Sequence, residues 1–227
     1  MPTGSSRLDS LLGGGISTCA VTDIFGAAGS GKTQFAFQCS AFVSSTPTNE
    51  PPDQNVAFVD CSGSFRPERI LEIAEKRKIE TSKMLDSILA IKVRTVAEQV
   101  ESSERILGKG FSNCKLIVVD DVTRNFVSEY GSGESGIIPR QHALGKYVRR
   151  LTYIALSKNI AVLLTNSARS RMDAGERETT GDLISQFALF RIHFFKKELQ
   201  RSAELLQPTE GKQNRCDFEI TEEGLVP

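Results

Sequence analysis

The sequence predicts an α/β fold, a mostly parallel sheet flanked by helices with antiparallel strands added toward the C-terminus. Short apolar runs alternate with stretches of helical periodicity along most of the 227 residues. This alternation is typical of a parallel sheet with right-handed crossovers. A glycine-rich turn joins the first strand to the first helix, and the last third of the chain changes to a strand-like alternation of apolar and polar residues.

Short, continuous apolar runs predict the buried strands of the parallel sheet. These runs are Ala20–Phe25, Val56–Val59, Ile88–Ile91, Leu116–Val119 and Ile160–Leu164. The helical patterns that lie between or after them are Gln34–Val43, Pro67–Lys78, Val96–Leu107 and Pro139–Leu156. Pro67 suits a helix start, because the N–H that proline lacks has no partner inside the helix at that position.

The C-terminal third predicts an antiparallel extension at one edge of the sheet. Gln186–Phe195 alternates in polarity, and both Ala203–Leu206 and Cys216–Ile220 are predicted to pair with it. Gly211, with the three residues Lys-Gln-Asn that follow it, is predicted to make the turn.

All of residues 1–227 are predicted to form one domain, because this length suits a single α/β core. Residues 44–55, SSTPTNEPPDQN, are rich in Pro, Ser and Thr, which predicts an exposed insertion loop. Two more polar stretches that contain glycine, Glu129–Gly136 and Ala168–Gly181, are also predicted to be loops.

Charge and cysteine content exclude several classes of protein. Lys plus Arg and Asp plus Glu are equal, at 28 each, so any binding of nucleic acid must come from a local cationic patch. No apolar run approaches the roughly 20 residues that span a bilayer, and the N-terminus lacks a signal-peptide pattern. The five cysteines form no Cys-x-x-Cys pair, which indicates reduced thiols in an intracellular protein, cytoplasmic or, in a eukaryote, nuclear.

Residues 26–33, GAAGSGKT, match the P-loop pattern G-x-x-x-x-G-K-[ST] in full. The glycines let the backbone wrap a phosphate, and the helix that follows turns its positive dipole end toward the same point. Lys32 is predicted to reach the β- and γ-phosphates, and the Thr33 hydroxyl is predicted to ligate Mg²⁺. The pattern therefore predicts a site for ATP and Mg²⁺. The residues predicted to hold the nucleotide in this segment are Gly26, Ala27, Ala28, Gly29, Ser30, Gly31, Lys32, Thr33 and Gln34.

A carboxylate for the metal ion is predicted at the end of another buried strand. In KLIVVDD, Asp120 directly follows Leu116–Val119, where it would hold the Mg²⁺ through water. The alternative is an aspartate that ends the strand without a metal role.

Several blocks of sequence occur in the order in which they occur in one family. They are TGSSRLDSLLGGGI (3–16), the P-loop followed by Gln34, VDCSGSFRPERI (59–70), VVDDVT (118–123) and LLTNS (163–167), with a helix around Arg140–Leu151 before the last. The chain resembles the core of the archaeal and eukaryotic RecA-type recombinases, RadA and its paralogues. The resemblance implies a RecA-like P-loop NTPase core, most similar to the short RadB-type paralogues.

One further nucleotide contact comes from the resemblance alone. In the family, the arginine that corresponds to Arg69 stacks on the adenine, and a cation on an aromatic plane contributes ~1 kcal/mol. The alternative for Arg69 is a solvated arginine on a helix.

The chain departs from the family at two catalytic positions. The family places its catalytic glutamate two residues after a strand-end aspartate, but Ser62 stands two residues after Asp60. Ser167 stands where the family has the glutamine that senses the γ-phosphate. A general base contributes roughly 10²–10⁴-fold in rate, and a serine hydroxyl cannot supply that function without a neighbouring base. These departures predict slow hydrolysis or none.

Asp121 is the substitute candidate for catalysis, beside Lys32. It follows Asp120, at the position where other P-loop ATPases place a catalytic carboxylate, so it is a candidate base. The alternative is an aspartate that caps a helix or turn.

Contact with DNA is predicted from cationic residues near two segments, 124–141 and 168–181, that correspond to the family's DNA-binding loops. The helical spacing of Lys146, Arg149 and Arg150 places them on one face, and the second segment is not basic on balance. A second cluster is Arg191, Lys196, Lys197 and Arg201, and a solvated face is the alternative for either group. The DNA-contact candidates are Arg140, Lys146, Arg149, Arg150, Arg169 and Arg171.

The sequence thus predicts an ATP-binding recombinase paralogue that assists homologous recombination and DNA repair, with weak or absent hydrolysis. The expected partners are a RecA-type recombinase or another paralogue, weakly bound single-stranded DNA, and further subunits of a homo- or hetero-oligomer, with no membrane. The alternatives are a DNA-stimulated ATPase that uses Asp121 as its base, a KaiC-like signalling ATPase, and an interaction module whose P-loop only stabilises the fold.

Overall fold

The computed structural model describes residues 1–45, 54–108, 113–131, 133–171, 175–178, 181–198, 200–208 and 214–227. The helices in these residues are α1 (Ser6–Leu11), α2 (Lys32–Ser44), α3 (Pro67–Lys76), α4 (Val96–Leu107), α5 (Arg124–Tyr130) and α6 (Glu134–Lys158), with short 3₁₀-helices at Leu85–Ser87 and Gly181–Gln186. The strands are β1 (Ala20–Gly26), β2 (Val56–Asp60), β3 (Ile88–Lys92), β4 (Leu116–Asp120), β5 (Ala161–Arg171), β6 (Gly175–Glu178), β7 (Phe190–Lys197), β8 (Gln200–Gln207), β9 (Arg215–Thr221) and β10 (Gly224–Val226).

These strands form one mixed sheet in the order β10-β9-β8-β7-β1-β5-β4-β2-β3, with β6 paired to β5. Neighbouring strands run parallel in the part of the sheet formed by β7, β1, β5, β4, β2 and β3. Neighbouring strands run antiparallel in the part formed by β7, β8, β9 and β10. The predicted α/β class, with a parallel sheet and an antiparallel C-terminal extension, is confirmed. The register places Asp60 opposite Asp120, so the carboxyl ends of β2 and β4 meet at one edge of the sheet.

Helices pack on both faces of the sheet, because successive side chains of each buried strand point to opposite sides. Ile24 of β1 belongs to a cluster with Phe35 of α2 and Ile70 of α3, whereas Val21 packs on the opposite face with Val148 of α6. Burying side chains of this size contributes roughly 1.5–3 kcal/mol each. The two cores hold the strand ends, and the loops that follow them, in fixed positions.

The predicted helices and parallel strands are all present, and most of their ends differ from the prediction by one or two residues. Two elements differ by more: α6 begins at Glu134 rather than at Pro139, and β5 ends at Arg171 rather than at Leu164. The predicted start of α6 was therefore wrong. Pro139 instead lies in the second turn, where its missing N–H removes one hydrogen bond within the helix.

The polar stretch 168–181, predicted to be a loop, contains two paired strands. β5 continues to Arg171, and Ala168 and Arg171 pair antiparallel with Glu178 and Gly175 of β6. The predicted strand start at Gln186 was also wrong, because a 3₁₀-helix ends at Gln186 and β7 begins at Phe190. The polar composition of residues 168–181 therefore concealed the last part of β5 and the whole of β6.

Other predicted features are replaced by helix or fall outside the described residues. The segment 124–141, predicted to correspond to a DNA-binding loop, consists mainly of α5 and the start of α6. The proposed insertion loop at 44–55 lies mostly in residues 46–53, outside the described residues, as does most of the predicted turn at 211–214. Ser44 itself ends α2. The short elements α1, α5 and β10 were not predicted.

Neither a membrane span nor a disulfide is found in the described part of the chain. No helix there is both long and apolar enough to cross a bilayer. All five cysteines are free, and four of them are buried.

A buried ion pair lies on the central strand. Asp23 of β1 is fully buried, and Arg191 Nε of β7 lies 3.5 Å from its Oδ2. The Arg191 guanidinium also lies 4.8 Å from the centre of the Phe25 ring. Burial raises the pKa of Asp23 from 3.8 to about 7, although the nearby Arg191 charge acts in the opposite direction.

This pKa predicts how stability depends on pH. Between about pH 4 and pH 7 the unfolded chain has lost the Asp23 proton while the folded chain retains it, so the free energy of unfolding falls as pH rises. One proton corresponds to a slope of at most about 1.4 kcal/mol per pH unit. Urea unfolding of wild type and Asp23→Asn at several pH values measures this. The slope of the variant should be flatter, and equal slopes would show that Asp23 does not titrate in this range.

Candidate functional site

The P-loop connects the carboxyl end of β1 to α2 and needs glycine at two positions. Gly26 has φ 155°, and a Cβ there would lie 1.9 Å from the carbonyl oxygen of Phe194. Gly31 has φ 111°, and a Cβ there would lie 3.0 Å from Ile220 Cδ1 of β9. Close contacts with β7 and β9 therefore restrict the backbone conformation of the P-loop.

Donors at this loop match an anion. The helix α2 begins at Lys32 without a side-chain cap, so its first N–H groups lack a side-chain acceptor. The Ser30 hydroxyl is buried and has no hydrogen-bond partner among the described residues. Lys32 Nζ donates to the carbonyl oxygens of Gly26 (2.7 Å) and Ala27 (2.9 Å), which braces the loop. Phosphate oxygens are acceptors that suit such donors.

Asp120 is the centre of the polar network beside the P-loop. Its carboxylate is 2% exposed and accepts from the hydroxyls of Thr33 (3.0 Å), Thr165 (2.5 Å) and Ser64 (2.8 Å). Ser62 Oγ lies 3.1 Å from Asp120 Oδ2. Four hydroxyls from three other segments therefore surround one carboxylate.

Asp60 shapes the loop that carries the two serines. Its Oδ1 accepts from the backbone N–H groups of Ser62 (3.2 Å), Gly63 (2.8 Å) and Ser64 (3.1 Å). Ser62 Oγ also lies 3.2 Å from Asp60 Oδ1 and 2.5 Å from Ser64 Oγ. The residue at the expected position of the catalytic glutamate is thus a hydroxyl within hydrogen-bond distance of two aspartates.

Both oxygens of Asp121 are engaged. Oδ1 accepts from the backbone N–H (2.9 Å) and the hydroxyl (2.8 Å) of Thr123, immediately before α5. Oδ2 accepts from the Ser167 hydroxyl on β5. Asp121 therefore caps a turn with one oxygen, and its other oxygen joins the end of β4 to the strand that leads into the β5–β6 hairpin.

Cys61 packs in the core beside this site. It is 5% exposed and belongs to the cluster of Val59 and Val119. Burial raises the pKa of its thiol well above its usual range, and the charge of Asp121 acts in the same direction. A neutral, packed thiol accounts for Cys61 without a redox role.

The opposite wall of the site comes from the antiparallel extension. Arg69 Nε of α3 donates to Gln34 Oε1 (2.8 Å), and its NH1 donates to the carbonyl oxygen of Glu222 (3.1 Å). Arg201 Nε of β8 donates to the carbonyl oxygen of Gly29 in the P-loop (3.2 Å). These contacts close one side of a cavity of about 770 Å³, a volume within the usual range for ligand sites.

Most of the predicted nucleotide and catalytic residues meet in this cavity. Gly26, Ala27 and Ser30 lie outside its lining. The predicted residues that line it are Ala28, Gly29, Gly31, Lys32, Thr33, Gln34, Arg69, Asp120 and Asp121. Ser62 and Ser167, at the two altered catalytic positions, also line the cavity. The remaining lining residues were not predicted to lie at this site; they are Ser64, Glu72, Arg124, Thr165, Arg201, Ile220, Thr221 and Glu222. Half of these residues lie in strands β5, β8 and β9, far from the P-loop in sequence.

The cations predicted to contact DNA are not gathered into one patch. Arg140 must be corrected: it is 5% exposed, and its guanidinium donates to the carbonyl oxygen of Gly131. Arg150 pairs with Glu104 of α4, whereas Lys146 and Arg149 are exposed. The side chains of Arg169 and Arg171 lie outside the described part of the structure. The second predicted cluster is also divided, because Arg191 and Arg201 point to Asp23 and the P-loop respectively.

Comparison with known proteins agrees with this architecture. A sequence model of the Rad51 family matches residues 1–226. The chain belongs to the Rad51 family. The predicted membership of the RecA/RadA superfamily is thereby confirmed, whereas the RadB-like subtype stays a prediction.

Two archaeal relatives illustrate the likeness. The DNA repair and recombination protein RadA of Cenarchaeum symbiosum is 36% identical over 235 residues, which cover 98% of this chain and 57% of the relative. The RadA of Metallosphaera sedula is 31% identical over 232 residues, covering 98% of this chain and 71% of the relative. The chain thus spans little more than half the length of the first relative and less than three quarters of the second.

The residues at the site fit a nucleotide that carries a divalent ion. Among the described residues there is no group of three or more His, Cys, Asp or Glu side chains that could hold a metal ion. Thr33 and Asp120 lie together at the P-loop, 3.0 Å apart at the nearest atoms. Two ligands of this kind suit an ion such as Mg²⁺, which prefers oxygen and takes most of its ligands from phosphates and water.

Two glycine substitutions test the geometry of the P-loop. Gly26→Ala should destabilise the fold by about 2 kcal/mol or more, because the new methyl group meets backbone that cannot move aside. Gly29→Ala is the matched control: φ is 78°, but the space around it is open, so strain alone costs about 1–2 kcal/mol. Chemical unfolding measures both, and an equal loss in the two variants would contradict the close contact of Gly26 with β7.

Proposed function

We propose that this chain binds ATP with Mg²⁺ and assists DNA repair and recombination as an accessory member of its family, with weak or absent hydrolysis. One observation carries the proposal. The P-loop and Asp120 are complete for nucleotide binding, yet serines occupy the positions of the expected catalytic base and γ-phosphate sensor.

Binding is supported by the donors around the P-loop. The start of α2, Ser30 and Lys32 offer N–H, O–H and ammonium groups to phosphates. Thr33 and Asp120 would hold the Mg²⁺, which neutralises phosphate charge when bound. Arg69 lines the same cavity, and we expect its guanidinium to stack on the adenine.

Slow hydrolysis is expected because no carboxylate stands at position 62 and the carboxylate of Asp121 is already hydrogen-bonded. Ser62 lies between Asp60 and Asp120 and cannot accept a proton from water at neutral pH. Asp121 has Oδ1 engaged by Thr123 and Oδ2 by Ser167. Three of the roughly four acceptor sites of the carboxylate are thus occupied, which leaves little capacity to take a proton from water. Losing a general base lowers the rate by roughly 10²–10⁴-fold.

ATP would therefore act chiefly as a conformational ligand. A ligand shifts an equilibrium between two states only by its difference in affinity for them. The bond between Asp121 and Ser167 links the end of β4 to β5, which continues into the β5–β6 hairpin. A change at the cavity can thus reach the hairpin through one hydrogen bond.

The role in DNA repair and recombination rests on the family and on the names of the two RadA relatives. Membership of the Rad51 family favours this role over the KaiC-like alternative. Of the cations proposed for DNA contact, Lys146 and Arg149 are exposed and Arg150 is half-buried, which supports weak binding of single-stranded DNA. A RecA-type recombinase or another paralogue is the expected partner, in a homo- or hetero-oligomer.

A DNA-stimulated ATPase is the second candidate function. It is favoured by the position of Asp121, which lines the same cavity as Thr33 and Asp120. Release of Ser167 would leave Asp121 Oδ2 free to accept a proton.

Binding and turnover of MgATP separate these functions. Wild type should bind a fluorescent ATP analogue, and Lys32→Ala should bind it at least tenfold more weakly, because the variant loses an ammonium group that faces the phosphates. Steady-state hydrolysis by wild type should equal that of Lys32→Ala, with and without single-stranded DNA.

ATP hydrolysis by the Asp121→Asn variant tests the second candidate function, a DNA-stimulated ATPase with Asp121 as its base. Turnover above the Lys32→Ala level that disappears in Asp121→Asn would establish Asp121 as the base and contradict the accessory function. Turnover that survives in Asp121→Asn would contradict both accounts of the site. Absence of ATP binding by wild type would leave the P-loop with a role in stability alone.

A further inference from the structure

The outer face of α6 carries a line of exposed side chains. Ile138, Tyr153 and Leu156 are 78%, 64% and 61% exposed. His142, Lys146 and Arg149 are also exposed. We call these six residues the α6 stripe.

Helical geometry places the α6 stripe on one line. At 100° per residue the six positions fall within about 80° around the helix axis, and at 1.5 Å per residue they extend over about 27 Å. From His142 to Leu156 the spacing alternates between four and three residues, which is the spacing of a coiled-coil seam. The opposite face of α6, including Leu144 and Leu151, is buried in the core.

The chemistry of the stripe is divided along its length. Apolar side chains occupy both ends, with Ile138 at one and Tyr153 and Leu156 at the other. The two permanently charged residues, Lys146 and Arg149, lie between them. Neither makes a hydrogen bond or an ion pair with any described residue, whereas the adjacent Arg150 is neutralised by Glu104.

We propose that the α6 stripe is a docking surface for an amphipathic helix of a partner protein, with apolar residues toward both ends and carboxylates in the middle. Such a helix buries the exposed apolar side chains and pairs the two free cations in one register. This surface goes beyond the nucleotide site and does not depend on ATP binding.

Two other occupants fit the stripe less well. A second copy of α6 would bring Lys146 and Arg149 of both chains together, and like charges at an interface oppose association. A nucleic acid would use the cations but would leave Ile138 and Leu156 without a favourable contact, since binding to phosphates depends on charge.

The test uses the full chain and synthetic helical peptides. The probe carries leucines at both ends and glutamates in the middle of one stripe, with the same spacing as α6. A scrambled peptide of equal composition and a peptide with lysine in place of glutamate serve as controls. Fluorescence anisotropy should show that wild type binds the acidic probe at least tenfold more tightly than either control.

Paired substitutions should separate the two parts of the stripe. The double substitution Tyr153→Ser with Leu156→Ser should lower the affinity for the acidic probe at least tenfold. The double substitution Lys146→Glu with Arg149→Glu should lower the affinity for the acidic probe by as much. This variant should bind the lysine peptide more tightly than the acidic probe. Two control variants should leave the affinity for the acidic probe unchanged. One is Leu189→Ser, at a leucine outside the stripe that is 52% exposed, and the other is Lys196→Glu with Lys197→Glu. Since all these positions are exposed, unchanged thermal unfolding confirms intact folds.

Several outcomes would overturn the proposal. One is equal affinity for the acidic and scrambled probes, and another is charge reversal that does not switch preference. Self-association of wild type that Tyr153→Ser with Leu156→Ser abolishes would identify a second copy as the occupant. Tight binding of single-stranded DNA that needs Lys146 and Arg149 but not Tyr153 and Leu156 would identify a nucleic-acid surface instead.

Discussion

The buried carboxylate of Asp120 is the constraint on which the site depends. An ionised carboxylate removed from water costs several kcal/mol unless polar groups replace the lost hydration. Hydroxyls of Thr33, Ser62, Ser64 and Thr165 supply that replacement. They bring the first turn of α2, the loop after β2, and β5 to the end of β4. Solvation of this one side chain therefore holds α2 and the P-loop against the end of β4, together with the close contacts of Gly26 and Gly31 with neighbouring strands.

The same arrangement separates nucleotide binding from catalysis. Serine at position 62 contributes a hydroxyl to the Asp120 network but removes the carboxylate that would activate water. Serine at position 167 holds Asp121 and ties it to β5. Each substitution thus adds a hydrogen bond to the resting structure where a catalytic site needs a free acceptor. Serine at these two positions favours a site that responds to bound ATP rather than one that hydrolyses it.

Local patterns were sufficient for the parallel strands and the P-loop, because strand burial and phosphate binding each depend on residues close in sequence. Thr33 and Asp120 were predicted to meet at one metal ion, because each stands in a motif of its own, although 87 residues separate them. Other long-range contacts were not accessible in this way. Arg201 reaches Gly29 from β8 with no local signal for the contact. Arg140 was predicted to belong to a cationic surface, but α6 begins earlier than predicted. The carbonyl oxygen of Gly131 accepts from the buried guanidinium of Arg140.

Hydrogen–deuterium exchange of the full chain, followed for hours after MgATP is added, tests the central claim most directly. If ATP is a conformational ligand that is not consumed, amides of the P-loop and of residues 161–171 should become protected, and the protection should persist unchanged throughout. Amides of β3, at the far edge of the sheet, should not respond. Protection that decays as ADP accumulates would show a working ATPase, and protection confined to the P-loop would contradict the proposed link through Asp121 and Ser167.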